Sequence, residues 1–145
     1  MFDKFTEFLA EIADNGAVMA NRLKDKSTFR RIVYSAYLIS RADGDIDAEE
    51  KNALAKFIAK DFSHFKINDI LNIIKQCDDK MDFDETFGYQ EIMDEIAKAS
   101  GDDAEQIVRL ACFVGASDGN FDDEEKIVAR DIAKRLNIDA DRYGL

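Results

Sequence analysis

Apolar residues recur along this chain at intervals of three and four, the spacing that places them on one side of an amphipathic helix. The pattern predicts helices over about residues 1–12, 27–40, 47–60, 102–116 and 123–136, with a last turn capped by Asp139. Two more are predicted between them, one that starts at Asn68 and includes Cys77, and one that includes Phe87 and ends near residue 100. The chain contains no proline, so no helix is interrupted by one. Its 145 residues are enough for one domain with a sizeable core. We therefore expect an all-α fold in which residues 1–145 form a single compact bundle of about seven helices.

The pattern also predicts which residues cap the helices and which are buried. Ser27 and Asn68 are polar residues at the start of two apolar periods, and each is predicted to cap its helix. Asp102 is predicted to start another helix in the same way. Cys77 and Cys112 fall on apolar faces and are expected to lie in the core. The last helix is expected to bury four apolar side chains: Ile127, Val128, Ile132 and Leu136.

One segment of twenty residues occurs twice. Residues 32–51 and 107–126 share nine identities at a fixed offset of 75 positions, without a gap. Each copy predicts a helix, a tight acidic loop and a second helix. The loops read Asp-Gly-Asp-Ile-Asp at positions 43–47 and Asp-Gly-Asn-Phe-Asp at positions 118–122. The repeat indicates an internal duplication. The two pseudo-repeated units should then pack about a pseudo-twofold axis, with both acidic loops on one side of the bundle.

The acidic loops have a purely structural interpretation. Asp47 and Asp122 can act as N-caps that accept hydrogen bonds from the first free amides of the following helix. Glu50 and Glu125, three residues later, complete a capping box. The glycine in each loop suits a backbone position with positive φ. A well-made helix start needs these residues whether or not a metal ion binds.

The same loops also have a functional interpretation as divalent-cation sites. Their sequence matches positions 5 to 12 of an EF-hand loop, but the places of the first two ligands hold Ile39 and Arg41 in one copy and Val114 and Ala116 in the other. Neither copy is therefore an ordinary EF-hand, and we expect modest affinity. Dense oxygen ligands suit Ca²⁺ or Mg²⁺ better than zinc or copper. The predicted ligands are the acidic and amide side chains of both loops: Asp43, Asp45, Asp47, Glu50, Asp118, Asn120, Asp122 and Glu125.

Three stretches give the chain a resemblance to a known family. The second acidic loop with the following helix and the Tyr143–Leu145 tail, the first acidic loop, and the Met81–Asp84 segment together closely resemble the TerB family of tellurite-resistance proteins. The resemblance covers essentially the whole chain. It implies a compact all-helical protein from bacterial tellurite-resistance gene clusters, which are also linked to phage and colicin resistance and to general stress. It further implies the membrane protein TerC as a partner, and no established enzyme activity.

The charge is divided unevenly along the chain. The net charge is −11, yet residues 22–41 hold six basic side chains and one acidic one. This basic region could be a solvated face, or it could contact anionic lipid or an acidic partner. The predicted lipid contacts are its basic side chains Arg22, Lys24, Lys26, Arg30 and Arg31. The acidic remainder argues against general nucleic-acid binding, because phosphate contacts need lysine and arginine.

Three classes of function compete at this stage. The resemblance favours a non-enzymatic, cation-binding adaptor in a stress-response complex at the cytoplasmic face of the inner membrane. A weak Ca²⁺ buffer or sensor is the first alternative. A hydrolase with paired carboxylates is the second, but no catalytic residues can be assigned, because carboxylates at helix starts are held in the charged form. Two cysteines, no recognisable signal peptide and no long apolar run predict a cytoplasmic location, with any membrane association peripheral.

Overall fold

The structure is a computed structural model that describes residues 7, 10, 25–42, 44–62, 64–115 and 121–145. These residues form six α-helices and a final 3₁₀-helix, and they contain no β-strand. The helices are α1 (Lys26–Ser40), α2 (Ala48–Asp61), α3 (Ile67–Phe83), α4 (Glu85–Ile96), α5 (Gly101–Gly115) and α6 (Asp123–Arg135), and the 3₁₀-helix spans Ala140–Tyr143. The all-α prediction is confirmed. The seventh helix, predicted over residues 1–12, falls on a stretch of which only Glu7 and Ala10 are described. In the described ranges no helix has both the length and the apolarity that crossing a membrane requires.

Helix α1 is the centre of the fold, because it is apolar on almost all sides. Every residue from Ile32 to Ile39 is buried, as expected for a helix surrounded by others. The helix packs against α3, α4, α5 and α6, and most extensively against α5. Buried side chains from all six helices and the 3₁₀-helix join in one core. Cys77 and Cys112 belong to this core as free thiols, which confirms their predicted burial.

The two related units correspond to α1 with α2 and to α5 with α6. Helix α1 contacts α5 and α6, and α5 in turn contacts α2. A pseudo-twofold axis would exchange α1 with α5 and α2 with α6. It would therefore relate the contact between α1 and α6 to the contact between α5 and α2, and both contacts are present. However, α5 also contacts α6, whereas α1 and α2 make no corresponding contact within the described ranges. The pseudo-twofold axis and the shared side for both loops therefore stay predictions.

A sharp corner joins α3 to α4 through a single residue, Asp84. Its backbone is extended, with φ −161° and ψ 114°, and its amide donates to the Lys80 carbonyl oxygen at the end of α3. Its side chain accepts a hydrogen bond of 2.8 Å from the Phe87 amide in the first turn of α4. A Cβ atom added at Gly88 would collide with the Lys80 carbonyl group. Only glycine therefore lets α4 approach α3 this closely.

Three predicted helix starts were wrong by one or two residues. Helix α1 is capped by Asp25 rather than Ser27, whose amide donates to the Asp25 carboxylate at 2.9 Å. A carboxylate placed two residues earlier is a strong acceptor for the first amides, so it takes the cap. Helix α3 begins one residue before Asn68, and α5 begins one residue before Asp102. Both side chains therefore lie inside a first turn instead of preceding it.

The predicted burial of Ile127 was also wrong. Its side chain is 55 % exposed, whereas Ile132 and Leu136 are buried and Val128 packs against the core. The buried side of α6 follows positions 125, 129, 132 and 133. Residue 127 lies about 200° around the helix from residue 125, because each residue turns the helix by about 100°. Apolar character alone misled the prediction at this position.

Candidate functional site

The first acidic loop ends in a complete capping box at the start of α2. The Glu50 amide donates to Asp47 Oδ1 at 2.8 Å, and the Asp47 amide donates to Glu50 Oε1 at 3.1 Å. Asp47 has an extended backbone, with φ −79° and ψ 176°. Gly44 has φ +145°, a region that favours glycine, so its predicted positive φ is confirmed. Ile46, between the glycine and the cap, is buried and fixes the loop to the core.

The second acidic loop ends in the same arrangement at the start of α6. The Glu125 amide donates to Asp122 Oδ1 at 2.8 Å, and the Asp122 amide donates to Glu125 Oε1 at 3.0 Å. The backbone of Asp122, with φ −81° and ψ 177°, nearly matches that of Asp47. The predicted capping boxes are confirmed in both copies. One difference is that Glu50 is exposed, whereas Glu125 is buried.

Five of the eight predicted cation ligands belong to the described residues. The structure describes Asp45, Asp47, Glu50, Asp122 and Glu125. The other three predicted ligands lie outside the described residues: Asp43, Asp118 and Asn120. Within the described part of the chain, no three His, Cys, Asp or Glu side chains come close enough together to hold a metal ion. Cation binding by the loops therefore stays a prediction.

Asp45 is engaged by a cation from the protein itself. Its carboxylate lies 2.8 Å from Nη2 of Arg41, one helical turn earlier in the chain. The Asp45 side chain is 87 % exposed, whereas the Arg41 side chain is only 12 % exposed. Arg41 stands where an EF-hand would place an oxygen ligand, and here it supplies the opposite charge. The i,i+4 spacing of the two residues was a visible signal of this pair.

Behind this ion pair lies a polar network that the sequence did not indicate. The buried Tyr37 hydroxyl donates to Asp78 Oδ1 at 2.5 Å and accepts from Arg41 Nη1 at 3.3 Å. Lys51, in the first turns of α2, forms an ion pair with Asp78 Oδ2. Burial, together with the hydrogen bond to Asp78, raises the pKa of Tyr37, so the hydroxyl stays protonated and donates. Asp78 thus ties α3 to both helices of the first unit.

The acidic residues near the end of α3 do not act as one cluster. Asp78 faces the first unit through Tyr37 and Lys51. Asp79 instead pairs with Lys75 on the exposed side of α3 at 3.1 Å. Asp84 caps α4. Neighbouring carboxylates on a helix point in different directions, so their closeness in sequence does not create a shared site.

A sequence model of one known family matches most of the chain. The family is described as tellurite resistance protein TerB, and the match covers residues 31–144. The chain belongs to the TerB family. The matched range includes both acidic loops, both capping boxes and the Tyr37–Asp78 network. No curated protein and no solved structure matches the chain.

Membership of the TerB family confirms the resemblance and places the chain among tellurite-resistance proteins. The family is generally not one of enzymes. The two thiols of this TerB-family chain are poor nucleophiles, because the thiolate is the reactive form. Burial raises the pKa of Cys77, and burial raises the pKa of Cys112 to about 12.

The basic region of this TerB-family chain is only partly a free surface. Lys26 and Arg30 are exposed on α1. Arg31 instead turns inward, where its Nε donates to the Glu95 carbonyl oxygen at 3.2 Å and lies 3.7 Å from the Glu95 carboxylate. The two remaining members of the predicted patch lie outside the described residues: Arg22 and Lys24.

Proposed function

We propose that this TerB-family chain is a non-enzymatic adaptor that binds Ca²⁺ or Mg²⁺ in a tellurite-resistance and stress-response complex. The complex would lie at the cytoplasmic face of the inner membrane, with the membrane protein TerC among its partners. The observation that carries the proposal is the pair of capping boxes, which hold two carboxylates at the start of α2 and two at the start of α6. Each of these helix starts follows a loop that is rich in further oxygen side chains.

Capping and cation binding can coexist on the same carboxylates. Each capping bond uses one oxygen atom: Oδ1 of Asp47 and Asp122, and Oε1 of Glu50 and Glu125. An ionised carboxylate has about four lone-pair sites on two oxygens, so one hydrogen bond does not exhaust it. A divalent ion would also relieve the repulsion among crowded acids. The remaining ligands would come from Asp43 and Asp45 in one loop and from Asp118 and Asn120 in the other.

Two features limit the affinity that we expect. The early ligand positions of an EF-hand are missing from both loops. In the first loop, the Arg41 guanidinium must also share Asp45 with any incoming cation. Dissociation constants in the range of about 10⁻⁵ to 10⁻³ M follow by analogy with weak Ca²⁺ sites.

The decisive experiment is a Ca²⁺ and Mg²⁺ titration followed by NMR and by the melting temperature. A ligand that binds only the folded state raises the melting temperature as its concentration increases. Asn caps a helix about as well as Asp. Asp47→Asn and Asp122→Asn should therefore keep the metal-free protein folded while weakening its response to Ca²⁺.

Asp25→Asn is the matched control for these variants, because Asp25 caps α1 without belonging to either acidic loop. Its response to Ca²⁺ should equal that of the wild type. If wild-type protein shows no thermal or NMR response to Ca²⁺ or Mg²⁺ up to about 10 mM, well above the weak range of such sites, the cation-binding proposal fails. The capping boxes would then be structural only.

Contact with anionic lipid is the second part of the proposal, and Arg30 is the residue on which to test it. Arg31 is held by Glu95, so replacing it would disturb the fold as well as the surface. Arg30→Glu should reduce binding to phosphatidylserine vesicles at low salt, where surface charges are least screened. Lys56→Glu reverses an exposed lysine on α2 and serves as the control. Equal binding by both variants would contradict a specific basic patch.

A further inference from the structure

Two phenylalanines are exposed at the corner between α3 and α4. The Phe83 side chain is 87 % exposed and the Phe87 side chain is 58 % exposed. Both rings line one surface groove of about 370 Å³, together with Gln76, Asp79, Lys80 and Glu91. Single exposed apolar residues are common on protein surfaces, but two exposed aromatic side chains that line one groove are typical of an interaction site.

The backbone of this corner fixes where the two rings stand. Asp84 ends α3 through its amide and begins α4 through its side chain, which accepts from the Phe87 amide. Gly88 allows the two helices to meet at backbone distance just beyond the corner. Phe83 therefore closes one helix and Phe87 lies in the first turn of the next. Because the backbone of the corner is already formed, it needs no further ordering when a partner binds.

The chain that carries the two rings is acidic. In the groove itself, Asp79 pairs with Lys75 at 3.1 Å and Glu91 pairs with Lys80 at 3.3 Å, so these charges balance. The excess of negative charge comes from the exposed carboxylates of Asp82, Asp84 and Glu85, which flank Phe83 and Phe87 in the chain and form the acidic rim of the corner. A partner that covers the rings must therefore bring positive charge to the rim.

We propose that this aromatic corner, formed by Phe83 and Phe87 with its acidic rim, docks an amphipathic segment of a partner protein. The segment would place an apolar side chain in the groove and lysine or arginine side chains beside the exposed carboxylates. Aromatic anchors supply most of the binding energy in such contacts, and complementary charge supplies orientation and speed of association. The site lies on α3 and α4, away from the capping boxes, and does not depend on cation binding. With this corner, the proposed adaptor would have a second binding surface that is aromatic at its centre and acidic at its edge.

The acidic rim also decides against an anionic membrane surface as the partner. Aromatic rings can enter a bilayer, but membrane-binding surfaces carry lysine and arginine beside the apolar residues. Here the rim has the opposite sign. Lipid headgroups of negative charge would be repelled by the exposed carboxylates that flank both phenylalanines in the chain.

The test uses the full chain and a designed helical peptide of leucine and lysine, about 18 residues long so that it makes five turns. Titrated into isotope-labelled protein, the peptide should shift the NMR signals of residues around Phe83 and Phe87. The double variant Phe83→Ser with Phe87→Ser should bind at least about ten-fold more weakly, as expected for loss of a hot spot. Ile127→Ser, which removes another exposed apolar side chain, is the matched control and should bind like the wild type. A leucine–glutamate peptide should not bind.

Several results would overturn the proposal. If the signal changes map to the acidic loops, or if the double variant binds the peptide as tightly as the Ile127→Ser control, the corner is not the docking site. If the double variant loses binding to phosphatidylcholine vesicles but not to the peptide, the corner is a lipid contact. If sedimentation shows a dimer that the double variant abolishes, a second copy of this chain covers the rings. The melting temperature of the double variant should equal that of the wild type, and its Ca²⁺ response should be retained, which separates this proposal from cation binding.

Discussion

The two helix–loop–helix units share their helix starts but differ in the charges behind them. Their capping boxes agree within 0.1 Å in both hydrogen bonds. At the offset of 75, the positions of Tyr37, Arg41 and Asp45 are occupied in the second unit by Cys112, Ala116 and Asn120. The first unit therefore holds an aromatic hydroxyl, a guanidinium and a carboxylate where the second has a buried thiol and two uncharged side chains.

This difference shows that the repeated motif specifies local backbone geometry and leaves the electrostatics of each loop free to vary. A capping box needs only an acid and a glutamate three residues apart, so it survives changes elsewhere. The Tyr37–Asp78 network, by contrast, joins the first unit to α3, and Cys112 at the matching position of the second unit has no hydroxyl to make the same bond. We infer that the two loops will respond differently to cations and to mutation, even though their sequences align without a gap.

The largest expected effect comes from breaking the network that belongs to the first unit. Asp78→Ala removes the acceptor of the buried Tyr37 hydroxyl and the partner of Lys51. A buried donor left without an acceptor costs about 1–3 kcal/mol, so we expect the free energy of unfolding to fall by about 2–3 kcal/mol. Urea unfolding with an unchanged slope would measure this loss.

Two variants sharpen that measurement. Tyr37→Phe removes the hydroxyl but leaves Asp78 paired with Lys51, and it should cost about 1 kcal/mol. Asp79→Ala removes the neighbouring carboxylate, whose pair with Lys75 is largely exposed, and it should change stability by less than about 0.5 kcal/mol. Equal costs for Asp78→Ala and Asp79→Ala would show that the network does not stabilise the first unit.

A smaller effect should separate the two capping boxes. Asp47→Ala and Asp122→Ala should each cost about 1 kcal/mol, because the cap geometry is the same. The glutamates should differ, because Glu125 is buried and Glu50 is exposed. We expect about 1.5 kcal/mol for Glu125→Ala and about 0.5 kcal/mol for Glu50→Ala, since an exposed amide can bond to water instead. Thermal unfolding of the four variants would measure these costs, and equal costs for the two glutamates would contradict the role given to burial.

The parts of the fold that depend on nearby residues could be predicted from the sequence. Both capping boxes lie within four consecutive positions, and the apolar periods of α1 and α5 identify the core helices directly. The predicted cap was wrong where two nearby polar residues could each act as the N-cap, as Asp25 and Ser27 could at the start of α1. Local patterns of this kind fix the type of an element more firmly than its first residue.

The parts that depend on tertiary packing could not be predicted. Tyr37 and Asp78 are separated by 41 positions, and no local pattern pairs them. The exposure of Phe87 and Ile127 was equally hidden, because an apolar residue off the packed side of its helix looks like a core residue in the sequence. The partners of Asp78 and Asp79 were hidden for the same reason, because the side of α3 on which each carboxylate falls depends on what packs there.

The last prediction concerns Arg41, the one charge that most distinguishes the first loop from the second. Arg41→Gln removes the cation beside Asp45 and leaves a shorter, uncharged polar side chain. The Asp45 end of the pair is exposed and the Arg41 hydrogen bond to the Tyr37 hydroxyl is long, at 3.3 Å, so we expect stability to change by only about 0.5 kcal/mol. A unit charge and a divalent ion about 4 Å apart repel each other by about 2 kcal/mol in a water-like medium. Removal of the Arg41 charge should therefore raise the Ca²⁺ affinity of the first loop about thirty-fold.

NMR signals of Gly44 and Ile46 would report on the first loop in this variant, and signals of Phe121 would report on the second. The first set should titrate at lower Ca²⁺ than in the wild type, while the second set should be unchanged. Arg135→Gln removes an arginine that pairs with Asp94, outside both acidic loops, and it should alter neither set. If Arg41→Gln leaves the first set unchanged while the second still titrates, Arg41 does not compete with the cation. Any difference between the two loops in their Ca²⁺ response would then have to come from the matching positions 45 and 120, where the first loop has a carboxylate and the second has an amide.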